Sequence, residues 1–334
     1  TTLAGLTNTT ITAAITVPAG TVTSNGPTVA EHCRGTGKMH ERVSPVDGKT
    51  YAVGFEMRMP KNWNGRFLHQ GNGGIDGTVR NAEGATGGGP LTSALAQGFA
   101  VLSSDGGHSG GAPFFGIDPE ARLDYGYQAV SKLTPMAKQA IALTYGKGPD
   151  RSYFAGCSNG GRHAMVAAAR YFADYDGILA GAPGYNLPLA ATANLAGARE
   201  YAKVATVSPV TNSTELATAV TDAERALIAS RVLAKCDALD SAADGLVQDV
   251  AACQAAFNLA DDVPTCSGAR DGSCLTADQK TVLQTIFDGP KTNSGQRIYA
   301  SFPYDAGYGS SGVPAWEYVA AMDRDSGALG FIWQ

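Results

Sequence analysis

The run Gly156-Cys157-Ser158-Asn159-Gly160-Gly161 constrains the fold of this chain more than any other stretch. It contains Gly-x-Ser-x-Gly and stands between a β-like segment, Ser152-Tyr153-Phe154-Ala155, and a helix-like segment over residues 162–170. Glycines on both sides of a serine let a strand turn sharply into a helix, which lifts the hydroxyl clear of the sheet. With 42 glycines in 334 residues the pentapeptide by itself says little. The strand before it and the amphipathic helix after it give it meaning.

A turn of this kind needs a sheet beneath it, and the first half of the chain supplies the pattern for one. The stretch to about Pro60 reads as strands, with residues 51–59 partly alternating and rich in β-formers. Residues 65–70 form a second strand-like run that ends in Gly71-Asn72-Gly73-Gly74. The spacing predicts a helix over 92–96, a short buried strand over 99–102 closed by Asp105-Gly106-Gly107, and a long helix over 125–145 that feeds the Tyr153 strand. Strands alternating with helices imply βαβ units and a mainly parallel sheet, of the α/β-hydrolase kind. From about Asn186 the composition turns alanine-rich, with helices expected over 222–234 and 275–287 and an aromatic, glycine-rich tail. The expected division is therefore a hydrolase core over 1–185 and a lid domain over 186–334, inserted above the catalytic face.

At 334 residues the chain can bury one large core, or one core and a substantial inserted domain. Its net charge of −5, with scattered basic residues, leaves no footprint for nucleic acid or for a membrane surface. No apolar run approaches the roughly 20 residues that span a bilayer. No signal peptide stands at Thr1, so the chain reads as a mature one.

Ser158 is the expected nucleophile. A serine hydroxyl needs a base to take its proton, normally a histidine oriented by a carboxylate. The oxyanion formed next needs preorganised N–H donors, and the residue after the nucleophile, Asn159, supplies one from its backbone. In this kind of fold the acid and the histidine follow the nucleophile in the chain. Here the only histidine after Ser158 is His163, five residues on, in the helix that begins just beyond the turn. It points along that helix and cannot reach over the serine. His32, His40, His69 and His108 all precede Ser158. His108, with Asp105 behind it on one tight loop, is a competing candidate for the base; shaping the floor of the site is its better-supported role.

The Cys157-Ser158 step resembles the tannase and feruloyl esterase family. So do Asp176-Gly177-Ile178-Leu179-Ala180-Gly181-Ala182-Pro183-Gly184, Asn62-Trp63-Asn64-Gly65-Arg66-Phe67 and Ser104-Asp105-Gly106-Gly107-His108. That family includes bacterial mono(2-hydroxyethyl) terephthalate hydrolases, and the resemblance runs from about Cys33 to the last residues. It implies an α/β-hydrolase with an inserted lid, a serine carboxylesterase acting on esters of aromatic acids. It places the second oxyanion donor at Gly74. It also places the triad Asp and His after the lid, beyond Gln334, so the C-terminal part of the hydrolase core is missing from this chain. Three explanations stay open: a processed N-terminal chain held to a second chain of the same precursor, a portion of a longer polypeptide, or a truncated, inactive protein.

The six cysteines bear on the compartment. Cys236 and Cys253 bracket a short acidic loop, and Cys266 and Cys274 a smaller polar one; local pairs of this kind suit an oxidising environment. The resemblance implies the pairings Cys236–Cys253 and Cys266–Cys274. It further implies that Cys157 bonds to a cysteine outside this chain, beside the catalytic histidine, and that Cys33 pairs with one nearer the N-terminus than any present. The protein is expected to be secreted or periplasmic.

Within the first bracket lies Asp237-Ala238-Leu239-Asp240-Ser241-Ala242-Ala243-Asp244-Gly245-Leu246. Three carboxylates in eight residues can wrap a hard cation in oxygen ligands. Spacing alone leaves calcium and a solvated acidic loop both open. The resemblance implies a structural calcium held by Asp237, Asp240 and Asp244 with the backbone carbonyls of Ala242 and Leu246. The expected substrates are feruloyl esters first, with galloyl esters and the terephthalate monoester next. The alternative is an inactive calcium-binding module on a hydrolase scaffold.

Overall fold

In the computed structural model, residues 5–23, 26–86 and 92–333 are described; Thr1, on which the reading of a mature chain rests, lies outside them. The chain divides into two compact units, Thr1–Tyr185 with Phe331–Gln334, and Asn186–Gly330.

The first unit is built on a seven-stranded sheet of order β1-β2-β3-β5-β4-β6-β7. The strands are β1 (Thr9–Val17), β2 (His32–Val43), β3 (Thr50–Pro60), β4 (Arg66–Gly71), β5 (Ala100–Ser104), β6 (Arg151–Cys157) and β7 (Gly177–Gly181). β1, β2 and β3 form an antiparallel meander that pairs antiparallel with β5. β4 is parallel to both β5 and β6, and β6 to β7. The sheet is thus mixed, not mainly parallel as its sequence pattern suggested. The reason is local: β1 to β4 follow one another without an intervening helix, and a parallel pair needs a crossover long enough to return the chain.

Alternation along β4 sorts the core onto two faces. Phe67 lies with Phe55, Met57 and Leu102 under the helix α2 (Ala129–Tyr145), which contributes Leu133, Ala137 and Ile141. Leu68 faces the other way, against Val101, Ala155, Ala82 and Leu95.

Two expected helices differ. Residues 92–96 form part of a turn, because the Leu95 N–H donates to Glu83 O (3.1 Å) and the segment is too short to nucleate a helix of its own. The helix expected over 125–145 begins earlier, as α1 (Pro119–Leu123), and widens into a π-turn over Asp124–Gln128 before α2. Widening the turn loosens the helix ladder there. The carbonyls of Tyr125 and Gly126 accept from the Arg162 guanidinium at 2.9 and 3.1 Å. Arg162 lies on α3 (Asn159–Arg170), the helix that follows Ser158.

The second unit is mostly helical: α4 (Leu187–Tyr201), α5 (Asp222–Cys236), α6 (Val250–Ala256), α7 (Leu259–Asp262), α8 (Ala277–Phe287), a π-helical run over Ala315–Asp325 and α9 (Ser326–Phe331). Its core gathers Tyr201, Ile228, Val232, Leu259, Leu275, Leu283 and Phe287. Thr221 with Glu224, and Thr276 with Gln279, close capping boxes on α5 and α8. The bonds Cys236–Cys253 and Cys266–Cys274 are formed, closing loops of 17 and 8 residues. Loops of those lengths are worth about 3 and about 2.5 kcal/mol in unfolded-chain entropy.

Candidate active site

The chain leaves β4 for β5 on one side and reaches β6 on the other, which makes the carboxyl end of β4 a topological switch point. Ligands in open α/β sheets bind in the crevice at such a point. Ser158 sits there, one residue beyond β6, with φ 60° and ψ −121°. A non-glycine residue so placed costs about 1–3 kcal/mol and persists only where its surroundings hold it. Its N–H donates to Gly181 O (3.0 Å), and its carbonyl accepts from Arg162 N (3.0 Å) and Gly184 N (3.1 Å). The residue itself is exposed and lines a cavity of about 680 Å³ together with Gly71, Asn72, Gly73, Arg80 and Cys157.

The turn and the loop after β4 are in direct contact, and the glycines are what permit it. A Cβ at Gly71 would stand 2.9 Å from Gly160 O, and one at Gly160 would intrude on the Gly71 carbonyl. Asn159 opens α3, so its backbone N–H belongs to the first turn, where no intrahelical acceptor exists. Its buried side chain is fully engaged. Asn159 Nδ2 donates to Asn72 O (3.2 Å) and Asp76 Oδ2 (2.9 Å), while Asn159 Oδ1 accepts from the Tyr125 hydroxyl (3.2 Å) and Arg162 Nε (2.8 Å). Gly74, with φ 72°, lies exposed in the same loop between Asn72 and Asp76.

Asp76 and His163 are the residues that sequence reasoning missed or dismissed. His163 Nε2 donates to Asp76 Oδ2 at 2.7 Å, with side-chain exposures of 6% and 3%. Burial drives the Asp76 carboxyl up, but His163, Arg162 and Asn159 outweigh it and hold the group below the ordinary carboxylate range. Burial and the nearby Arg162 push the His163 imidazole down despite Asp76, so the ring is neutral. His163 therefore faces inward from α3 to a carboxylate and is not free to serve Ser158. The one available signal was a single acidic residue inside the glycine loop, Gly74-Ile75-Asp76-Gly77.

His108 and Asp105 do not meet as a base and its acid. The His108 ring stacks on Phe115 (3.6 Å between centroids), meets the edge of Tyr125 and lies by the Ile75 backbone, and among the described residues neither ring nitrogen has a hydrogen-bond partner at full geometry. Burial lowers its pKa to about 4. Asp105 Oδ1 instead accepts from the N–H groups of Gly54 and Gly107, both at 2.9 Å. Burial, with a contribution from Asp76, raises the Asp105 pKa to about 7 against the pull of those amides.

Cys157 and Cys33 are free thiols among the described residues, both half-buried. In the 236–253 loop each aspartate turns onto backbone amides. Asp237 Oδ1 accepts from Asp244 N (3.2 Å) and Gly245 N (2.9 Å), Asp240 from Ala242 N (3.0 Å) and Gln248 N (3.1 Å), and Asp244 from Leu246 N (3.1 Å). Among the described residues no three His, Cys, Asp or Glu side chains converge on one point. No helix among them is long and apolar enough to cross a membrane.

A sequence profile described as tannase and feruloyl esterase matches residues 33–318. A mono(2-hydroxyethyl) terephthalate hydrolase of Piscinibacter sakaiensis is 37% identical over 305 residues, which cover 86% of this chain and 50% of that protein. A probable feruloyl esterase B-1 of Neosartorya fischeri is 33% identical over 284 residues, 81% of this chain and 50% of that one. The crystal structure of feruloyl esterase B from Aspergillus oryzae superposes with a TM-score of 0.76 at 25% identity, covering 98% of this chain and 62% of that chain. The chain spans about half the length of the curated relatives it matches.

Proposed function

The chain belongs to the tannase and feruloyl esterase family, and from that membership we propose that its protein is a serine carboxylesterase acting on esters of aromatic acids. Ser158 Oγ loses its proton to a base and attacks the ester carbonyl. The oxyanion rests on the Asn159 and Gly74 amides until the carbon–oxygen bond breaks and the alcohol leaves with the proton. Water then attacks the acyl-enzyme by the same route and frees the acid. The base and its carboxylate partner come from sequence outside this chain. The observation that carries this reading is the exposed Ser158 at the switch point, against a loop packed onto its turn.

That β7 is paired on one side only among the described residues supports an outside source for the two missing groups. Its Leu179 is 63% exposed, and it runs beside β6 and Cys157, so further strands and a partner cysteine have a place to join. The two disulfides of the second unit support secretion or a periplasmic setting. A structural calcium in the 236–253 loop would be held by Asp237, Asp240 and Asp244 with the carbonyls of Ala242 and Leu246. The donor set is all oxygen, and no cation pairs with these three carboxylates among the described residues, which suits a hard divalent ion.

Feruloyl esters are the first substrate class and galloyl esters the next. Arg80 favours a second reading: it is exposed, has no anionic partner among the described residues and lines the cavity beside Ser158, a place suited to an acyl group with a free carboxylate, as in a terephthalate monoester. Turnover by the full-length protein of methyl ferulate, methyl gallate and mono(2-hydroxyethyl) terephthalate, with and without Ser158→Ala, tests the proposal. A loss of at least about 10³-fold in kcat is expected. An unchanged rate removes Ser158 from the mechanism. No turnover by the parent protein leaves the inactive calcium-binding module as the reading.

A further inference from the structure

We infer that Asp76 is a positioning residue that latches the two halves of the oxyanion hole together. This rests on the esterase reading above. In that reading one donor amide comes from the nucleophile turn, at Asn159, and the other from the loop after β4, at Gly74. The halves are 85 residues apart in the chain, and an oxyanion hole works only when both amides are fixed before charge develops. Packing of Gly71 on Gly160 sets how near the two backbones come. It does not set their register.

The register comes from Asp76. It lies two residues after Gly74, in the left-handed region at φ 59°, which turns its carboxylate back under the loop. From there Asp76 Oδ2 accepts from Asn159 Nδ2 at 2.9 Å and from His163 Nε2 at 2.7 Å, two residues of the first turns of α3. One oxygen therefore ties the loop to the helix at two points, and His163 is one of its anchors. The second Asn159 donor contact, to Asn72 O, ties the same side chain to the loop from the other side of Gly74. Asn72 is itself held to the sheet, through Ser103 Oγ (2.9 Å) and Ser104 O (2.7 Å).

All four hydrogen-bonding positions of the Asn159 amide are used, so its side chain has one orientation and pins the first residue of α3 to the loop. Both side chains of the Asp76–His163 pair are buried, and a carboxylate bonded in such a place is hard to replace by water.

The test is made on the full-length protein with Asp76→Ala, Asp76→Asn and His163→Gln, read by kinetics and by hydrogen–deuterium exchange. Asp76→Ala is expected to lower kcat about 100-fold with KM within about threefold, because the contact matters where charge develops. Affinity for a trifluoromethyl ketone, whose hemiketal with Ser158 mimics the tetrahedral intermediate, should fall by a similar factor. Asp76→Asn keeps an acceptor for Asn159 Nδ2 and should recover at least about tenfold of the loss. His163→Gln, which leaves the Asp76–Asn159 bond in place, should cost less than Asp76→Ala. Exchange in Asp76→Ala should rise at least about tenfold in peptides covering 71–77 and 156–163 while β1 to β3 stay as in the parent. Unchanged exchange in those two peptides overturns the latch, as does a parent-like kcat or a loss that appears only in KM. Should Asp76→Ala not fold, the order of Asp76→Asn and His163→Gln decides, and equal losses in the two overturn it. A parent protein inactive on every ester removes the esterase reading alone, since the exchange result still decides whether Asp76 couples loop to turn.

Discussion

At the scale of single residues, the site rests on groups held in states that water would not favour. Ser158 is held at a positive φ by backbone bonds to Gly181, Arg162 and Gly184, and its exposure follows from that geometry. Asp105 is the clearest titration case. Its carboxyl has a pKa near 7 in the folded protein, raised by burial, against about 3.9 in an unfolded chain. Between those values the folded state holds a proton that the unfolded state has lost, so stability falls as pH rises from about 4 to about 7 and levels off above. Asp105→Asn keeps an acceptor for the Gly54 and Gly107 amides and removes the buried charge. We expect a Tm a few degrees above the parent at pH 8, no gain at pH 4, and a flatter Tm profile between. Parallel profiles would show that Asp105 ionises in the fold as freely as in water. Asp76 stands in the opposite state, ionised because three partners meet it.

At the scale of elements, structure comes from short-range rules wherever partners are near in sequence. The α5 and α8 starts carry their own caps, and both disulfides close local loops. Glu224 does double duty: beyond its capping role it accepts from Arg270 Nε (2.7 Å) and Gln279 Nε2 (3.1 Å), fastening the 266–274 loop and α8 to α5. The 236–253 loop is different, because three carboxylates there accept from backbone amides of the same loop with no compensating cation among the described residues. If calcium binds there, a chelator should lower Tm by several degrees, with calcium restoring it and Asp240→Ala abolishing the difference. A Tm indifferent to both would leave a solvated acidic loop. The elements that escaped the sequence reading were the 94–98 turn and the π-turn at Asp124–Gln128. Each depends on a distant partner, the Glu83 carbonyl in one case and Arg162 in the other.

At the scale of the whole molecule, two units each carry a hydrophobic core, and the change of composition near Asn186 falls where they divide. The first unit places Ser158 and a packed loop at its sheet's switch point, with all five histidines of the chain before Ser158 or turned away from it. On the proposed esterase reading the base would come from outside these residues, beside the free Cys157 thiol. Intact mass of the protein purified from its natural host, before and after reduction, should show a heavier species that releases a second chain, or one longer polypeptide containing both. A single unchanged mass of 334 residues would end the catalytic reading of Ser158.

The sequence by itself determined what neighbouring residues can settle: the strand–turn–helix around Ser158, the alternation that buries β4, the local cysteine brackets and the acidic loop between two of them. It also carried the family, through motifs spread along the chain. Tertiary structure alone decided the mixed strand order, the inward turn of His163 and the meeting of Asp76 with Asn159 and His163 across 83 and 87 residues. The physical reason is one of range. Side-chain periodicity records which face of an element is buried, whereas a hydrogen bond between distant residues depends on which strands end up adjacent, and that is settled only when the sheet closes its order.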